Sequence, residues 1–598
     1  MRRAARQQRS QTVTMPAPVR GKVENGPIAV GDPLAAEYIE NFIPTQRGLK
    51  VRGGISRAAY VTDAVKTLFA YKSTVDRFFA ATENAVYDIT SLNATTAPAP
   101  AISDMTSGDW ATQQIGLSGG DYLIAVNGAD LAQIYDGTSW NPLADEAVNE
   151  LDYDGLTADF AIGETVSGGT SGANAEILGI VKTTATSGTL KLGAITGGPF
   201  QDDETITSTS GSADADGANS AASSLTITAT GLTTDELVHV WLYRSRVFFI
   251  EKDSLKAWYT AAGALGAVSD INLAGVFRKG GKLLFGATWS LDSGDGLDDK
   301  CVFVTTEGEL AVYSGNDPSS SNDWALEGRY DIGKPLAKRA VMRAGGDVLI
   351  ATDDGIVPVS QVVQKDPGAL SLAAVTRPIP QTWAEEIDRH NAGAELLKWT
   401  DQNLGLVVLP DADRMLTVNL QTGAWAEQSG WFGDCAAEFL GNVYVGRDDG
   451  RVYKLNDTGS DDGSAFVARV CFAFSDGGDP AVYKVANLAR AAWFADGDFA
   501  YRIGIATDYD VTFPAAASAL DPNITVTGMV WGTSNWGEET WGGTIGNPST
   551  GLQSNWRSVS GAGFSMAPTV QVTSGSGTKL NVELLRVDIN VETGGIAA

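Results

Sequence analysis

The sequence predicts a mainly β protein: a β-propeller of six or seven blades, with a small inserted β domain and a C-terminal β-sandwich-like domain. Three observations carry this. Short apolar hairpins recur at blade-like intervals, one overlong interval coincides with a change of composition, and the spacing changes again beyond residue 465.

The hairpins set the frame. Phe78-Phe79-Ala80-Ala81 leads through Glu83-Asn84 to Val86-Tyr87-Asp88, and Tyr122–Val126 leads through Asn127-Gly128 to Ile134-Tyr135. Val247–Ile250 precedes Lys256–Tyr259, Val302–Thr305 precedes Leu310–Tyr313, and Val348–Ala351 leads through Asp354-Gly355 to Ile356–Val359. Leu406–Leu409 precedes Leu416–Asn419, and Val443-Tyr444-Val445 leads through Asp449-Gly450 to Arg451–Leu455. β-branched and aromatic runs around a glycine turn are hairpin chemistry, because glycine tolerates the positive φ of a tight turn. First strands near 78, 122, 247, 302, 348, 406 and 443 are mostly separated by 37 to 58 residues. Four-stranded blades have that spacing. Seven hairpins make six or seven blades, depending on whether one belongs to an incomplete blade. Arg447, Asp448, Asp449 and Arg451 read as the polar edge of the last one. The one helix the pattern predicts covers Gln381–Ala392.

The interval from 122 to 247 is too long, and its excess lies at 150–228, rich in Gly, Ser, Thr and Ala. This segment holds two lysines, no arginine and many carboxylates. FAIGETVSGGTSGANA at 160–175 aligns without gaps, offset by 40, with FQDDETITSTSGSADA at 200–215. Regular apolar positions (Ile177-Leu178, Ile180-Val181, Leu190, Leu192, Ile195) make it a folded two-repeat domain rather than a linker. The expected organisation is therefore an extended N-terminal arm at 1–60, propeller at 61–149, the inserted domain at 150–228, propeller again at 229–464, and a C-terminal β domain at 465–598. Long alternating runs such as Lys579–Ile589 mark the last.

Charge narrows the function classes. A net charge of −29 repels nucleic acid and anionic surfaces and favours solubility at high local concentration. Residues 1–22 are the exception, with Arg2, Arg3, Arg6, Arg9, Arg20, Lys22 and no carboxylate. Such an arm either touches DNA, docks on an acidic neighbour, or is simply solvated. Cys301, Cys435 and Cys471 are far apart and form neither a metal spacing nor a disulfide framework, so folding in a reducing cytoplasm is expected. The N-terminal arginines are not followed by an apolar core, so no secretory signal is expected. No apolar run reaches the roughly 18 residues of a membrane span.

Catalytic signals are thin. Two histidines exist: His239 in a strand pattern, and His390 at the end of the predicted helix. Nucleophile elbows, phosphate-binding glycine loops and HExxH are missing from the sequence. The acidic run Asp292, Asp295, Asp298 and Asp299 fails the Ca²⁺-loop pattern, because Gly294 and Gly296 stand where oxygen side chains are needed. Trp531, Trp536 and Trp541 offer sugar stacking, but a spacing of five alternates faces on a strand. No catalytic, cofactor or metal residues are assigned, and a non-enzymatic chain is expected.

Several segments together resemble a known family. They are Pro16–Gly21, Asp32-Pro33-Leu34-Ala35, Glu40-Asn41-Phe42-Ile43-Pro44, Val51-Arg52-Gly53-Gly54 and the 78–88 hairpin. Ser293–Asp299, Thr306–Tyr313, Gly345-Gly346-Asp347, Thr352–Pro358, Thr422–Trp425 and Glu592–Gly595 extend the likeness. The chain resembles the β-propeller tail nozzle proteins of short-tailed bacteriophages and prophages, outside 150–228 and with a departure at Lys22-Val23-Glu24. The resemblance implies a structural virion subunit folded in the host cytoplasm. It implies a homo-oligomeric ring, a hexamer, below the portal and adaptor and beside tail fibres. Double-stranded DNA would pass through the ring during ejection without sequence-specific binding, and an acidic wall would not retain it. The alternative is a glycan-binding or polysaccharide-degrading propeller of the phage tail.

Overall fold

The structure, a computed structural model, describes residues 9–26, 31–290, 299–390, 393–519, 551–575 and 577–593. Each hairpin anticipated above is the second and third strand of one sheet. Blade 1 runs Thr67–Tyr71, Arg77–Ala81, Val86–Asp88, Pro100–Ile102, and blade 2 occupies 111–142. Blade 3 occupies 237–272, blade 4 283–331 and blade 6 395–429. Blade 7 has strands Cys435–Phe439, Asn442–Gly446 and Arg451–Lys454, and its fourth is Ser56–Tyr60, from the other end of the chain. Six four-stranded blades thus form the propeller. A seventh position, blade 5, carries only three strands, Val341–Ala344, Asp347–Thr352 and Gly355–Pro358. The helices Val359–Gln364 and Pro380–Arg389 follow in place of an outer strand.

A separate apolar cluster fills each gap between neighbouring blades, so the ring closes by burial as well as by hydrogen bonding. Phe78 of blade 1 stacks on Phe439 of blade 7 with ring centroids 4.9 Å apart. Phe69, Phe79, Tyr135 and Trp140 fill the gap between blades 1 and 2. Such aromatic pairs add about 0.5–1.5 kcal/mol beyond the area they bury. The Asp449-Gly450 turn is longer than a two-residue hairpin: residues 447–450 form it, with the Gly450 N–H donating to the Arg447 carbonyl at 3.2 Å. Gly450 is required twice. Its φ is +77°, and a Cβ there would lie 2.3 Å from the Val61 carbonyl oxygen just past the closing strand.

Residues 1–60 differ from the expected extended arm. Arg9–Pro16 pairs along Val582–Thr593, Ala36–Glu40 pairs with Phe466–Phe472, and Leu49–Val51 also reaches Val582–Thr593. These strands complete a sandwich with the C-terminal segment, around a core that includes Met15, Ile39, Phe42, Trp493, Val570 and Leu584. The strands are short, interrupted by Pro and Gly, and paired with residues hundreds of positions away. Local sequence carries no sign of such partners. Arg20 and Lys22 are also engaged within the chain, with Asp32 and with Glu24 and Glu427 respectively. Arg2, Arg3 and Arg6 lie outside the described residues.

The inserted segment is a closed barrel. Val148–Ala158, Gly188–Leu192, Asn174–Lys182, Thr165–Gly168, Thr205–Thr207 and Ser212–Ala215 pair in that order, and the last returns to the first. The sequence repeat is a structural one, since Phe160 and Phe200, Val166 and Ile206, and Ala175 and Ala215 are all buried in its core. Glu164 and Glu204 exchange roles between the repeats. Glu164 accepts from the Ser208 hydroxyl and from the Ser210 N–H and hydroxyl. Glu204 accepts from the Thr170, Ser171 and Gln201 N–H groups and from the Ser171 hydroxyl. Each carboxylate caps the turn of the other repeat.

Both carboxyls are held below the usual range. For Glu164 the serine hydroxyls do this; for Glu204 burial works the other way but the four donors outweigh it. The resulting stability is complete above the ordinary glutamate pKa and is lost as pH falls through the lowered folded values. Glu204→Gln is expected to speed amide exchange across 165–215 at neutral pH and to flatten the acid-induced loosening of the barrel, with propeller amides unchanged. Hydrogen exchange at a series of pH values measures both.

Candidate functional site at the channel mouth

In every blade the first strand lies innermost, and a charged residue often stands just before it: Lys66, Asp109, Lys282, Arg339 and Asp434. Together with the second-to-third-strand turns that carry Glu83, Lys252, Asp253 and Asp411, these residues line a 660 Å³ cavity at one end of the propeller channel. Polar residues belong at this rim because the strands behind them are apolar and buried.

Lys338 and Arg339 cross the channel. They enter blade 5, yet most of their partners lie at the entrances to blades 1 and 2, which are not its neighbours in the ring. The Lys338 ammonium donates to the Asp109 carbonyl at 2.7 Å and pairs with the Asp109 carboxylate at 3.0 Å. The Arg339 guanidinium donates to the Thr67 hydroxyl at 3.1 Å and the Lys66 carbonyl at 3.3 Å, and faces Glu395 of blade 6 at 3.9 Å. Burial lowers the Lys338 pKa. Burial also opposes the Arg339 charge, but Glu395 and Asp109 outweigh it and raise its pKa. The Glu395 carboxyl is pushed up by burial, against the pull of Arg339. Arg339 and Glu395 are largely buried, so removing either leaves the other's charge stranded, whereas Asp109 stays half exposed and adds less.

His239, in the innermost strand of blade 3, takes the structural role its strand pattern implied. Nε2 donates to the Gly286 carbonyl at 3.0 Å, and the ring packs against Trp241 and Phe285. Its side chain is surrounded by protein, and that burial, aided by Lys338, depresses its pKa to about 4. Cys435, which opens blade 7, lies against the Val65 carbonyl, and burial pushes its thiol well up. The mouth thus presents paired charges that cross-brace the ring, with Cys435 and His239 held in the protein behind it.

The remaining sequence candidates scatter. His390 caps the helix Pro380–Arg389 at its C-terminal end. Arg447 stacks over Phe432 and Tyr453, with its guanidinium 3.6 and 4.1 Å from the ring centres, and Arg451 pairs with Asp449 at 2.6 Å. All three cysteines are buried and free. Of the acidic run, Asp299 is buried and accepts from the Ser290 hydroxyl, while Asp292, Asp295 and Asp298 lie outside the described residues. Trp531, Trp536 and Trp541 lie outside them as well. Sequence reading missed the Lys338, Arg339, Asp109 and Glu395 group. Its available signal was positional: aligning the repeats on their inner strands places charged residues at one recurring position.

No protein-family model matches the chain, and no curated protein matches it. Solved structures similar to it are β-propellers at very low identity. The computationally designed Ika8 protein is 11% identical, with a TM-score of 0.32 over 67% of this chain and 99% of its own. YCF48 from Cyanidioschyzon merolae is 9% identical, with a TM-score of 0.27 over 67% and 98%. The RRP9 WD40 repeats are 10% identical, with a TM-score of 0.30 over 68% and 99%. The chain is a mainly β protein whose propeller has six four-stranded blades and one three-stranded position, and among the described residues no helix is long and apolar enough to cross a membrane.

His239 gives the inner strand of blade 3 a pH signature. Its folded pKa lies below the unfolded value near 6.5, so unfolding takes up a proton between those values. Stability should therefore be full above pH 6.5 and fall by roughly 3 kcal/mol toward pH 4. His239→Asn should remove that slope. Denaturant unfolding of both proteins at half-unit pH steps tests this.

Proposed function

We propose that this protein is a structural, non-enzymatic tail nozzle subunit of a short-tailed bacteriophage or prophage. Copies form a sixfold ring below the portal and adaptor, beside the tail fibres, and the ring conducts double-stranded DNA during ejection. The observation that carries the reading is where the family-like segments fall. Arg52 bonds to Asn41, to the Gly53 carbonyl and to Asp461, and Gly54 packs against Ser460, in one node between propeller and sandwich. Two of the family-like segments, Glu40–Pro44 and Val51–Gly54, thus lie where the two bodies are joined.

Two further features agree with a conduit made of several copies. Lys338 and Arg339 brace the propeller's own channel, so the passage for a duplex lies between subunits. The whole chain carries a net charge of −29, and an acidic wall lets phosphates slide because it releases no counterions to hold them. Assembly inside the host and release in the virion follow from the same reading.

The test is localisation in purified particles. Imaging with an antibody or a fused density marker should place the chain in a sixfold ring at the tail, and purified protein should show no retention of duplex DNA at physiological salt. A chain that stays monomeric and never co-sediments with virions or tail complexes contradicts the proposal.

A further inference from the structure

Among the described residues, the outer face of the sandwich carries an exposed patch of unusual composition for so acidic a chain. Phe494 and Leu552 are cross-strand partners and both are exposed, Leu552 at 70%. Arg47 lies over Phe494 at 5.3 Å, and Arg490 lies over the exposed Trp556 at 4.8 Å. Arg586 stands beside Arg490, opposite the small Ala492. The carboxylates that hold these arginines sit beneath them. Asp588 pairs with Arg490 at 2.7 Å, and Glu583 accepts from Arg47 at 2.7 Å, yet their side chains are only 2% and 9% exposed. What this surface offers a partner is apolar area ringed by oriented guanidinium edges, the composition of interface hot spots.

The complementary surface is on the same chain. The inserted segment 150–228 holds eleven carboxylates and two lysines, a net −9. Both lysines are already paired, Lys182 with Asp104 and Asp159, and Lys191 with Glu150. On one barrel face Asp154 stands directly opposite Asp214 in the strand ladder, with Asp152 and Asp216 adjoining, and all four are exposed. Like charges facing each other across a ladder destabilise it, and a cationic partner removes that cost. The barrel emerges between blades 2 and 3, whereas the sandwich continues the sheet of blade 6.

We propose that the sandwich face around Phe494, Leu552, Trp556, Arg490 and Arg586 docks the Asp152, Asp154, Asp214 and Asp216 face of a second copy's barrel. Two different surfaces on one chain make a head-to-tail contact, which closes into a ring or runs on as a filament according to its rotation. The inference rests on the ring reading above and supplies its subunit contact.

The experiment uses two full-length variants. Leu552→Glu with Trp556→Ala breaks the sandwich face, and Asp154→Lys with Asp214→Lys breaks the barrel face. All four positions are exposed, and circular dichroism confirms folding. By mass photometry or sedimentation, wild type should assemble beyond the dimer, with an assembly constant falling at least tenfold between 50 and 300 mM salt. Each variant alone should be monomeric. Their equimolar mixture should stop at dimers, because each retains one intact half of the contact. Hydrogen exchange of wild type adds a readout that needs no variant: 488–494, 551–556, 152–154 and 212–216 should gain protection together as concentration rises. A monomeric wild type, an assembling variant, or a mixture that stays monomeric each overturns the contact. If the particle shows the ring while these variants still assemble, the nozzle reading stands and this contact does not. An occupant from elsewhere, such as residues 520–550 of the same chain or another virion protein, shows as patch protection independent of concentration.

Discussion

Arg52 is the contact on which the rest of the structure depends. Its side chain is fully buried, and its guanidinium makes two 2.8 Å bonds to the Asp461 carboxylate. It also donates to the Asn41 side-chain oxygen at 2.7 Å, to the Gly53 carbonyl at 2.9 Å and to the Ser429 carbonyl. Phe466 lies against its flat face at 4.0 Å. These partners come from the N-terminal strands, from blade 6 and from the start of the C-terminal domain. A charge can be buried this deeply only if its donors are matched, and here that requirement fixes three distant parts of the chain at once. The backbone enforces the same node, since a Cβ on Gly54 would lie 2.0 Å from the Ser460 carbonyl oxygen.

The consequence is a division of labour between sheet pairing and polar pinning. Residues 56–60 leave this node to close blade 7, while residues 36–44 leave it to enter the sandwich. Propeller closure and sandwich assembly therefore draw on one segment, and neither body has an independent N-terminal boundary. The barrel is organised differently. It enters and leaves between blades 2 and 3, keeps its own core, and satisfies its turns through the exchanged Glu164 and Glu204 carboxylates. It is the part of the chain that an insertion can add without disturbing the ring, and its charge sets it apart as a surface for another molecule.

How much of this was legible in the sequence follows from the range of the interactions. Every blade hairpin was legible, because strand, turn and strand lie within about fifteen residues and alternate as sheets require. The barrel repeat was legible for a similar reason, since Phe160 and Phe200, and Glu164 and Glu204, do the same work forty residues apart. The helix Pro380–Arg389 began one residue before the expected Gln381, with proline at its first turn. The incomplete blade 5 left the blade count open until the missing outer strand could be seen. What stayed illegible was set by partners far along the chain: Val13 faces Ile589, and Arg52 faces Asp461. The channel mouth was hidden because Lys338, Asp109 and Glu395 are ordinary surface residue types until the ring brings them together.

The central claim is that the Arg52 node makes propeller and sandwich one cooperative unit. Its most direct test is native-state hydrogen exchange of Arg52→Ala against wild type. Removing the fully buried Arg52 leaves the half-buried Asp461 without its partner and should cost about 3 kcal/mol, the low end for a broken buried pair. That loss should appear equally in blade 7 amides at 442–454 and sandwich amides at 466–472 and 582–593, with the barrel unaffected. A loss confined to one body, or one below about 1 kcal/mol in both, would contradict the account.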